Sequence, residues 1–401
     1  MTAAAELRPV SRVPMQLVPL QTAGSSSEFD LLLACCSALR DGTRADRIQQ
    51  FLSQSFHWDR LLRLGEHHRV IPGVYRELAN LAPPYELDAL RGAYEENIRK
   101  SLRLTGELIR ILRHLESRRV DGLPYKGPVL AKLLYGDVTQ REFSDLDILV
   151  RAEQVPKAKA ALAELGYQPH VQLSDREEQA YLVSGYEYSF AGKLGRNVLE
   201  LQWQITPRFY SVDFDVTGFF ERSVELKLAG QVFRTLCSED LFLVLCVHAA
   251  KHAWGQISLL CDIAQLVKTQ PLDWDGIVGE ASRLGIARIV GISLLLAHGL
   301  LGVPIPAAVE AALASDKQAE CLADEIRSTI LENHHCNPES LAYFRLMTRV
   351  RECAQDRARF LWRLLITPSV GEWSTAKLPS GLFGLYRIVR LFRLAKRAAS
   401  A

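Results

Sequence analysis

Residues 121–205 most limit what this chain can fold into, because the helical periodicity found elsewhere stops there. Residues 123–126 are too few and too close to proline for a helix, and they run directly into a Gly-Pro pair at Gly127. Since Pro is favoured at the first position of a helix, we expect a helix over 129–135 that ends at Gly136 in a left-handed cap. The segment therefore predicts a strand, a glycine turn and a helix.

Two later stretches predict strands that carry acidic side chains. Residues 145–150 alternate acidic and aliphatic side chains before becoming wholly apolar, which is typical of a strand with one face on a cleft. Residues 198–205 alternate in the same way near their start. Between them, a helix is expected over 154–165, ended by Gly166. These elements predict a small α/β core.

Helical patterns fill the chain on both sides of this core. We therefore expect an α+β protein in which a small mixed sheet with helices is embedded between all-helical lobes. The expected boundaries are a flexible N-terminal segment at 1–27, a helical lobe at 28–115, the α/β core at 116–235, a second helical lobe at 236–366 and a basic amphipathic tail at 367–401.

Composition limits the partners and the compartment. The 48 basic and 46 acidic residues leave a net charge of +2, which gives no general attraction to nucleic acid or to an anionic membrane. The eight cysteines show no CxxC spacing, so we expect a reducing compartment, a cytoplasmic location and no zinc site. An apolar run at 289–303 is short for a bilayer span and meets two prolines, so it predicts a buried helix.

Asp145 and Asp147 are the strongest candidates for chemistry. Two residues apart on a strand, they share a face with their backbones about 7 Å apart, and such a pair can converge on a divalent cation. Magnesium binds one or two protein carboxylates together with substrate phosphates. Glu200 would add a third carboxylate if the two strands are neighbours. The simpler alternative, a solvent-facing edge strand, is weakened by the preceding glycine turn, because the start of a helix there favours a phosphate group.

These motifs resemble those of a known family. Residues 126–131, 134–137 and 144–150, together with Arg141, look like the uncharacterised nucleotidyltransferase family of bacteria, a branch of the DNA polymerase β-like nucleotidyltransferase superfamily. Residues 58–70 and 248–254 and Asp262 are similar to the helical parts of that family. The resemblance extends from about residue 28 over nearly the whole chain.

The resemblance implies a site and a reaction. By position, Gly127 would hold the triphosphate, Asp145 and Asp147 would bind Mg²⁺, and Glu200 would complete the metal site or accept the proton of the acceptor. The expected reaction transfers a nucleotidyl group from a nucleoside triphosphate (NTP) to an acceptor and releases pyrophosphate. The acceptor is left open among small molecules, glycans, peptides and proteins.

This sequence departs from the family pattern at two positions of the expected site. Pro128 follows Gly127 where the superfamily commonly has Ser or Gly, so one backbone N–H is lost and phosphate contacts would fall to Lys126, Arg141 or later amides. Gln202 stands where the family strand often has His, so a base or an outer ligand is missing.

Lys251 is the candidate cation from the C-terminal helices. It lies with His248 and His252 at i, i+3 and i+4 of a largely apolar helix, so the three side chains project to one side. Two roles stay open for Lys251: it contacts the triphosphate across a cleft, or it pairs with an acid such as Asp262. The histidines are read as partners of buried polar groups or of the triphosphate, and zinc is not expected because no Glu follows His248.

Two other functions and the role of the tail remain open. The chain could be a non-catalytic nucleotide-binding partner protein of a biosynthetic cluster, which the three acids argue against. It could also be an RNA-modifying, toxin-like transferase, but the near-neutral charge makes nucleic acid a less favoured partner. The basic tail helix around 387–397 is expected to pack by its apolar face, with contact to anionic lipid, to nucleic acid or to an acidic face of the protein itself left open.

Overall fold

The structure is a computed structural model that describes residues 26–38, 42–54, 56–192, 198–333, 337, 340–368, 378 and 380–399. Most of the expected flexible N-terminal segment lies outside the described residues. Residues 369–377 of the expected tail lie outside them as well.

Helices form the first part of the described chain. They are α1 (Ser27–Cys36), α2 (Gly42–Leu52), α3 (Trp58–His68), α4 (Ile71–Leu78) and α5 (Asp88–Ser117). The Ser26 side chain caps α1 by accepting a hydrogen bond from the backbone N–H of Phe29. The long helix α5 buries one apolar stripe and exposes charged residues on its other side, as its periodicity predicts.

The central part contains the mixed sheet. Its elements are β1 (Leu123–Pro124), α6 (Gly127–Tyr135), β2 (Asp145–Leu149), α7 (Val155–Glu164), β3 (Gln168–Pro169), α8 (Asp175–Ser184), β4 (Glu187–Ala191) and β5 (Val198–Gln202). The strand order is β1-β2-β5-β4-β3, with β2 parallel to β5 and the other pairs antiparallel. This sheet confirms the expected α+β class. Strand β4 and helix α8 were not expected from the sequence.

The remaining elements are again mostly helical. They are α9 (Val216–Glu221), the hairpin β6 (Val224–Leu228) and β7 (Gln231–Thr235), then α10 (Ser238–Lys251), α11 (Ile257–Thr269), α12 (Trp274–Leu284), α13 (Ala287–Leu301), α14 (Ala307–Leu313), α15 (Lys317–Leu331), α16 (Leu341–Arg349), α17 (Ala354–Ile366) and α18 (Tyr386–Ala399). The hairpin was not expected either. The apolar run at 289–303 lies mainly in α13, which is buried, and no helix among the described residues is long and apolar enough to cross a membrane.

The apolar stretch that begins at Leu241 is two helices, α10 and α11, separated by a turn. Ala253 and Trp254 adopt positive φ angles of 51° and 52°, which end the first helix. The turn is held by the buried Trp254 ring, whose Nε1 donates to Ser293 Oγ at 2.9 Å. The apolar stretch looks like one continuous helix in the sequence. In the structure it is interrupted by a turn that a hydrogen bond to α13 stabilises.

The sheet packs differently on its two faces. Leu146 and Ile148 of β2 and Leu199 and Leu201 of β5 lie in one apolar core with α5 and α7. Side chains alternate along a strand, so the residues between them point to the other face. That second face lies towards α10 and is where polar side chains collect.

Candidate functional site

The register between β2 and β5 brings the predicted acids together. In this parallel pair Asp147 lies beside Glu200, and Leu149 lies beside Gln202. Residues that are paired across a sheet share a face, and so do residues two apart along one strand. Asp145, Asp147, Glu200 and Gln202 therefore occupy the same face, which meets the condition that β2 and β5 be neighbours.

Gln202 connects the carboxylates of this face. Tyr125 donates its hydroxyl hydrogen to Gln202 Oε1, which turns the amide nitrogen towards the acids. Gln202 Nε2 lies 3.1 Å from Glu200 Oε2, 3.3 Å from Asp147 Oδ1 and 3.3 Å from Glu187 Oε2. An amide NH₂ has two hydrogens, so three acceptors share them. The amide thus fixes the positions of three carboxylates without neutralising any.

Lys126 supplies the direct positive charge. Its Nζ lies 2.9 Å from Asp147 Oδ1, and Asp147 is only 3% exposed, although the sequence suggested an acid open to the cleft. Burial opposes the charge on Lys126, but Asp147 and Glu200 together raise the pKa of this ammonium well above its usual range. Lys126 therefore remains charged next to Asp147.

Gly127 follows Lys126 at the start of α6 and requires a glycine. Its φ is +54°, and a Cβ at this position would lie 3.3 Å from the backbone oxygen of Asp145. Pro128 occupies the first turn of α6, as the sequence predicts, and Gly136 ends that helix with φ +76°. The turn therefore brings the start of α6 against β2, next to the acids.

The site holds more negative charge than Lys126 balances. Burial, together with the nearby Glu187 and Asp147 carboxylates, raises the pKa of Glu200 to about 8. Burial and Asp147 also raise the pKa of Asp145, while Lys126 acts against this shift. As the side chains are placed, no group of three or more His, Cys, Asp or Glu residues in the described ranges is arranged to hold a metal ion.

The donor set nevertheless fits a hard divalent cation. Carboxylate oxygens are the ligands that Mg²⁺ takes from proteins, and it needs only one or two of them. Burial and the neighbouring carboxylates raise the pKa values of Asp145 and Glu200, so a bound cation is expected to favour their ionised forms.

Helix α10 covers the acidic face from the other side. Lys251 donates from Nζ to Tyr186 Oη at 3.2 Å and lies 4.9 Å from the centre of that ring. Burial lowers the pKa of Lys251, and the Glu187 carboxylate acts against this shift. A small cavity lies between α10 and the sheet and is lined by Tyr125, Lys126, Gln202, Ile205, Thr206, Val244, His248 and Lys251. Lys251 therefore faces the same cleft as Lys126.

The two histidines of α10 are uncharged near neutral pH. Burial is the main cause that lowers the pKa of His248 well below its usual value, and nearby Lys126 adds to the effect. Burial and Lys251 lower the pKa of His252 to about 4. Their ring centres are 4.7 Å apart in an edge-to-face arrangement. The histidines thus add hydrogen-bonding nitrogens to the cleft but no charge.

Arg141 and Asp262 form a separate ion pair. Arg141 Nε lies 2.9 Å from Asp262 Oδ1, its Nη2 lies 2.8 Å from Oδ2, and Tyr135 donates to Oδ1 at 3.0 Å. Asp262 is therefore not the partner of Lys251, which was one of the two roles considered from the sequence. Arg141 lies near the acidic face, because its charge acts against the rise in the pKa of Asp145. Nucleotide binding by Arg141 stays a prediction.

Sequence reasoning overlooked two residues of this region, and it read a third, Arg69, mainly as part of a polar patch on the surface or between the lobes. Glu187 adds a carboxylate from β4, and Tyr125 orients Gln202. Arg69, with φ 55° at the end of α3, is exposed and close enough to lower the pKa of Asp145. The alternation of Glu187 with the buried Tyr188 and Phe190 was a usable strand signal, but the segment is only five residues long.

The structure thus has a small mixed sheet with acids on adjacent strands, surrounded by helices. The model of the family described as "uncharacterised nucleotidyltransferase" matches residues 54–302, which is more than half of the chain. The chain belongs to this family and is therefore an enzyme of the nucleotidyl-transferring class. This membership argues against a non-catalytic nucleotide-binding protein.

Two solved structures are similar to part of the chain. One is a solution structure of the antibiotic-resistance factor ANT(2'')-Ia, with a TM-score of 0.27, 15% identity and coverage of 57% of this chain and 93% of that one. The other is a crystal structure of ANT(2'')-Ia in complex with adenylyl-2''-tobramycin, with a TM-score of 0.27, 15% identity and coverage of 56% and 98%. No curated protein matches the chain.

Proposed function

We propose that the chain transfers a nucleotidyl group from an NTP to an unidentified acceptor, with nucleic acid the less favoured kind, in an Mg²⁺-dependent reaction that releases pyrophosphate. The observation that carries this proposal is the parallel register of β2 and β5, which puts Asp147 beside Glu200 on the face that also holds Asp145. Family membership supports the reaction class. We also propose that the protein is cytoplasmic and that its domains have the boundaries expected from the sequence.

The acids have the metal-binding role in this proposal. Asp145 and Asp147 would hold Mg²⁺, with Glu200 as a third ligand or as the acceptor of a proton. Bound magnesium would offset the charge of the triphosphate and polarise its α-phosphate. Burial and the neighbouring carboxylates raise the pKa values of Asp145 and Glu200, which is consistent with this role.

The cations have the phosphate-binding role. Lys126 lies between Asp147 and the Gly127 turn, so its ammonium is close to both the acids and the start of α6. The first backbone N–H groups of a helix favour an anion, although Pro128 lacks one of them. Lys251 approaches from α10 and Arg141 from the loop before β2. These charges would bind and orient the triphosphate and stabilise the departing pyrophosphate.

The chemical step needs one new bond and one broken bond. The acceptor oxygen bonds to the α-phosphorus, and the bond from that phosphorus to the oxygen bridging to the β-phosphorus breaks. The acceptor also loses a proton. Glu200 is our candidate to receive it, because a pKa of about 8 lies near neutral pH, where a general base is most effective. Gln202 would hold the Glu200 side chain in place by its 3.1 Å hydrogen bond.

Thermal-shift measurements with the four NTPs, each with and without Mg²⁺, test this proposal. Binding to the folded state raises the melting temperature by mass action, so at least one NTP should stabilise the chain in a magnesium-dependent way. Asp145→Asn should lose that dependence. Asp88→Asn is the matched control, because the Asp88 side chain is 70% exposed at the start of α5. If no NTP at millimolar concentration stabilises the wild type, the proposed site is wrong.

A further inference from the structure

Helix α18 packs in the opposite sense to the one its sequence predicts. Tyr386 and Arg390 face the protein and are buried, whereas Ile388, Leu391 and Phe392 are exposed, Phe392 to 73%. Arg390 Nε donates to the backbone oxygen of Leu364 at 2.5 Å, which ties the helix to α17. The expectation that the tail rests on the protein by its apolar face is therefore wrong for the described side chains. Three of its large apolar side chains, those of Ile388, Leu391 and Phe392, face outward.

Helix α17, which packs against α18, shows the same feature. It buries Phe360 and Leu364 but exposes Leu361, Trp362 and Leu365. Leu382 and Leu385, in the segment that leads into α18, are exposed as well. Eight of the fourteen large apolar side chains exposed in the described part of the chain thus lie between residues 361 and 392. Such a concentration marks an interaction surface, because single exposed apolar residues are ordinary but clusters are not.

The charge around this surface indicates its partner. From residue 378 to the end, the sequence contains five Lys or Arg residues and no Asp or Glu, while the rest of the chain has a small excess of acids. One of the five, Arg390, is buried against α17. Arg387, next to Ile388, is exposed. Cations beside exposed Trp and Phe side chains are the combination that binds the boundary between lipid headgroups and acyl chains. A second copy is disfavoured, because a symmetric contact would bring two basic tails together.

We propose that α17, α18 and the segment 380–385 form a docking surface for an anionic lipid bilayer. On this surface the exposed apolar residues enter the interface and Arg387 contacts the headgroups. Docking would keep the enzyme at a membrane surface without any segment crossing it. The inference does not depend on the proposed nucleotidyl-transfer site, which lies on the central sheet.

Co-sedimentation of the full chain with lipid vesicles tests this surface. We expect binding to vesicles of phosphatidylcholine with about 30% phosphatidylglycerol, at least tenfold weaker binding to phosphatidylcholine alone, and weaker binding at high salt because screening reduces the attraction. Phe392→Glu should reduce binding to the anionic vesicles at least tenfold. Val183→Glu is the matched control, since Val183 on α8 is 67% exposed and lies outside the surface. Both variants should keep the wild-type melting temperature and NTP-dependent thermal shift.

Several results would overturn the proposal. One is the absence of binding to anionic vesicles, and another is equal loss of binding in the Phe392 and Val183 variants. Light scattering that showed a dimer in solution, abolished by Phe392→Glu, would assign the surface to a second copy. If the wild type and Phe392→Glu bound anionic vesicles with equal affinity, charge alone would explain the binding. The exposed apolar residues would then have no part in docking.

Discussion

Two charged clusters near the centre of the molecule differ in how their charges balance. In the first, Arg141 meets the single carboxylate of Asp262 with two parallel hydrogen bonds, and Tyr135 adds a third. Donors and acceptors match, and the pair joins the loop before β2 to α11. Such geometry is typical of a pair that holds two parts of a fold together.

The second cluster is unbalanced. Asp145, Asp147, Glu187 and Glu200 share one region of the sheet, where Lys126 makes the direct ion pair. Burial and the neighbouring carboxylates raise the pKa values of Asp145 and Glu200. The comparison shows that a balanced cluster is complete by itself, whereas the acidic face is more stable with an added cation.

The largest effect is expected from Asp145→Asn, which should lower Mg²⁺-dependent turnover by about three orders of magnitude, or about 4 kcal/mol of transition-state stabilisation. The melting temperature should not fall, since the substitution removes repulsion with Asp147. Asp147→Asn should lose as much activity but also lower stability, because it leaves the Lys126 ammonium without its partner. Pyrophosphate release and thermal melting measure the two effects. If Asp145→Asn kept wild-type turnover, Asp145 would not be part of the catalytic site.

Arg141→Ala tests the balanced cluster. It should lower the free energy of unfolding by about 3–5 kcal/mol, because Asp262 would be left buried without a charge partner. Arg363→Ala, which breaks an exposed pair with Asp213, should cost less than about 1 kcal/mol. Urea unfolding of both variants measures the difference. Equal small losses would show that the Arg141 pair does not hold the fold together, and weaker NTP binding by folded Arg141→Ala would support its predicted phosphate contact.

Glu200→Gln separates two roles within the unbalanced cluster. If Glu200 accepts the acceptor's proton, its replacement should lower kcat by about 100-fold or more while NTP affinity changes little. Equal losses of rate and affinity would make Glu200 a ground-state ligand. Steady-state kinetics and equilibrium NTP binding on one preparation distinguish these results. If neither kcat nor NTP affinity changed, Glu200 would have no role in the reaction.

Lys251→Ala tests whether α10 contributes to the unbalanced cluster. Because Lys251 contacts Tyr186 and no carboxylate within ion-pair distance among the described residues, its loss should leave the melting temperature nearly unchanged. NTP binding should weaken by about 1–3 kcal/mol, the range for a lost charged hydrogen bond. Titration calorimetry and thermal melting give both quantities. A clear fall in melting temperature with unchanged affinity would show a structural role instead.

The smallest effect concerns pH. The pKa of Glu200 rises from 4.5 to about 8 on folding, so the folded state binds its proton more tightly. The resulting stability is fully present below pH 4.5 and is lost as pH rises towards 8. Without divalent cations, the wild type should therefore lose measurably more stability than Glu200→Gln between pH 5 and pH 8. Melting in EDTA across this range measures it, and parallel curves would contradict the assignment.

The sequence by itself determined the features that depend on near neighbours. The Gly127 turn, the helix that ends at Gly136 and the shared face of Asp145 and Asp147 follow from side-chain size, proline geometry and the two-residue period of a strand. The buried helix α13 follows from its apolar composition. These properties act over a few residues, so a pattern in sequence is sufficient to predict them.

Only the tertiary structure decided which distant residues meet. The sequence could state that Glu200 would join the acids if β5 lay beside β2, but not that it does, nor that Glu187 would approach from β4. Arg141 rather than Lys251 pairs with Asp262, across 121 positions of sequence. The alternation of apolar and polar residues along a strand shows which face a residue occupies. It does not show which other element packs against that face. The partner is fixed by the packing of whole helices and strands, where each contact depends on all the others.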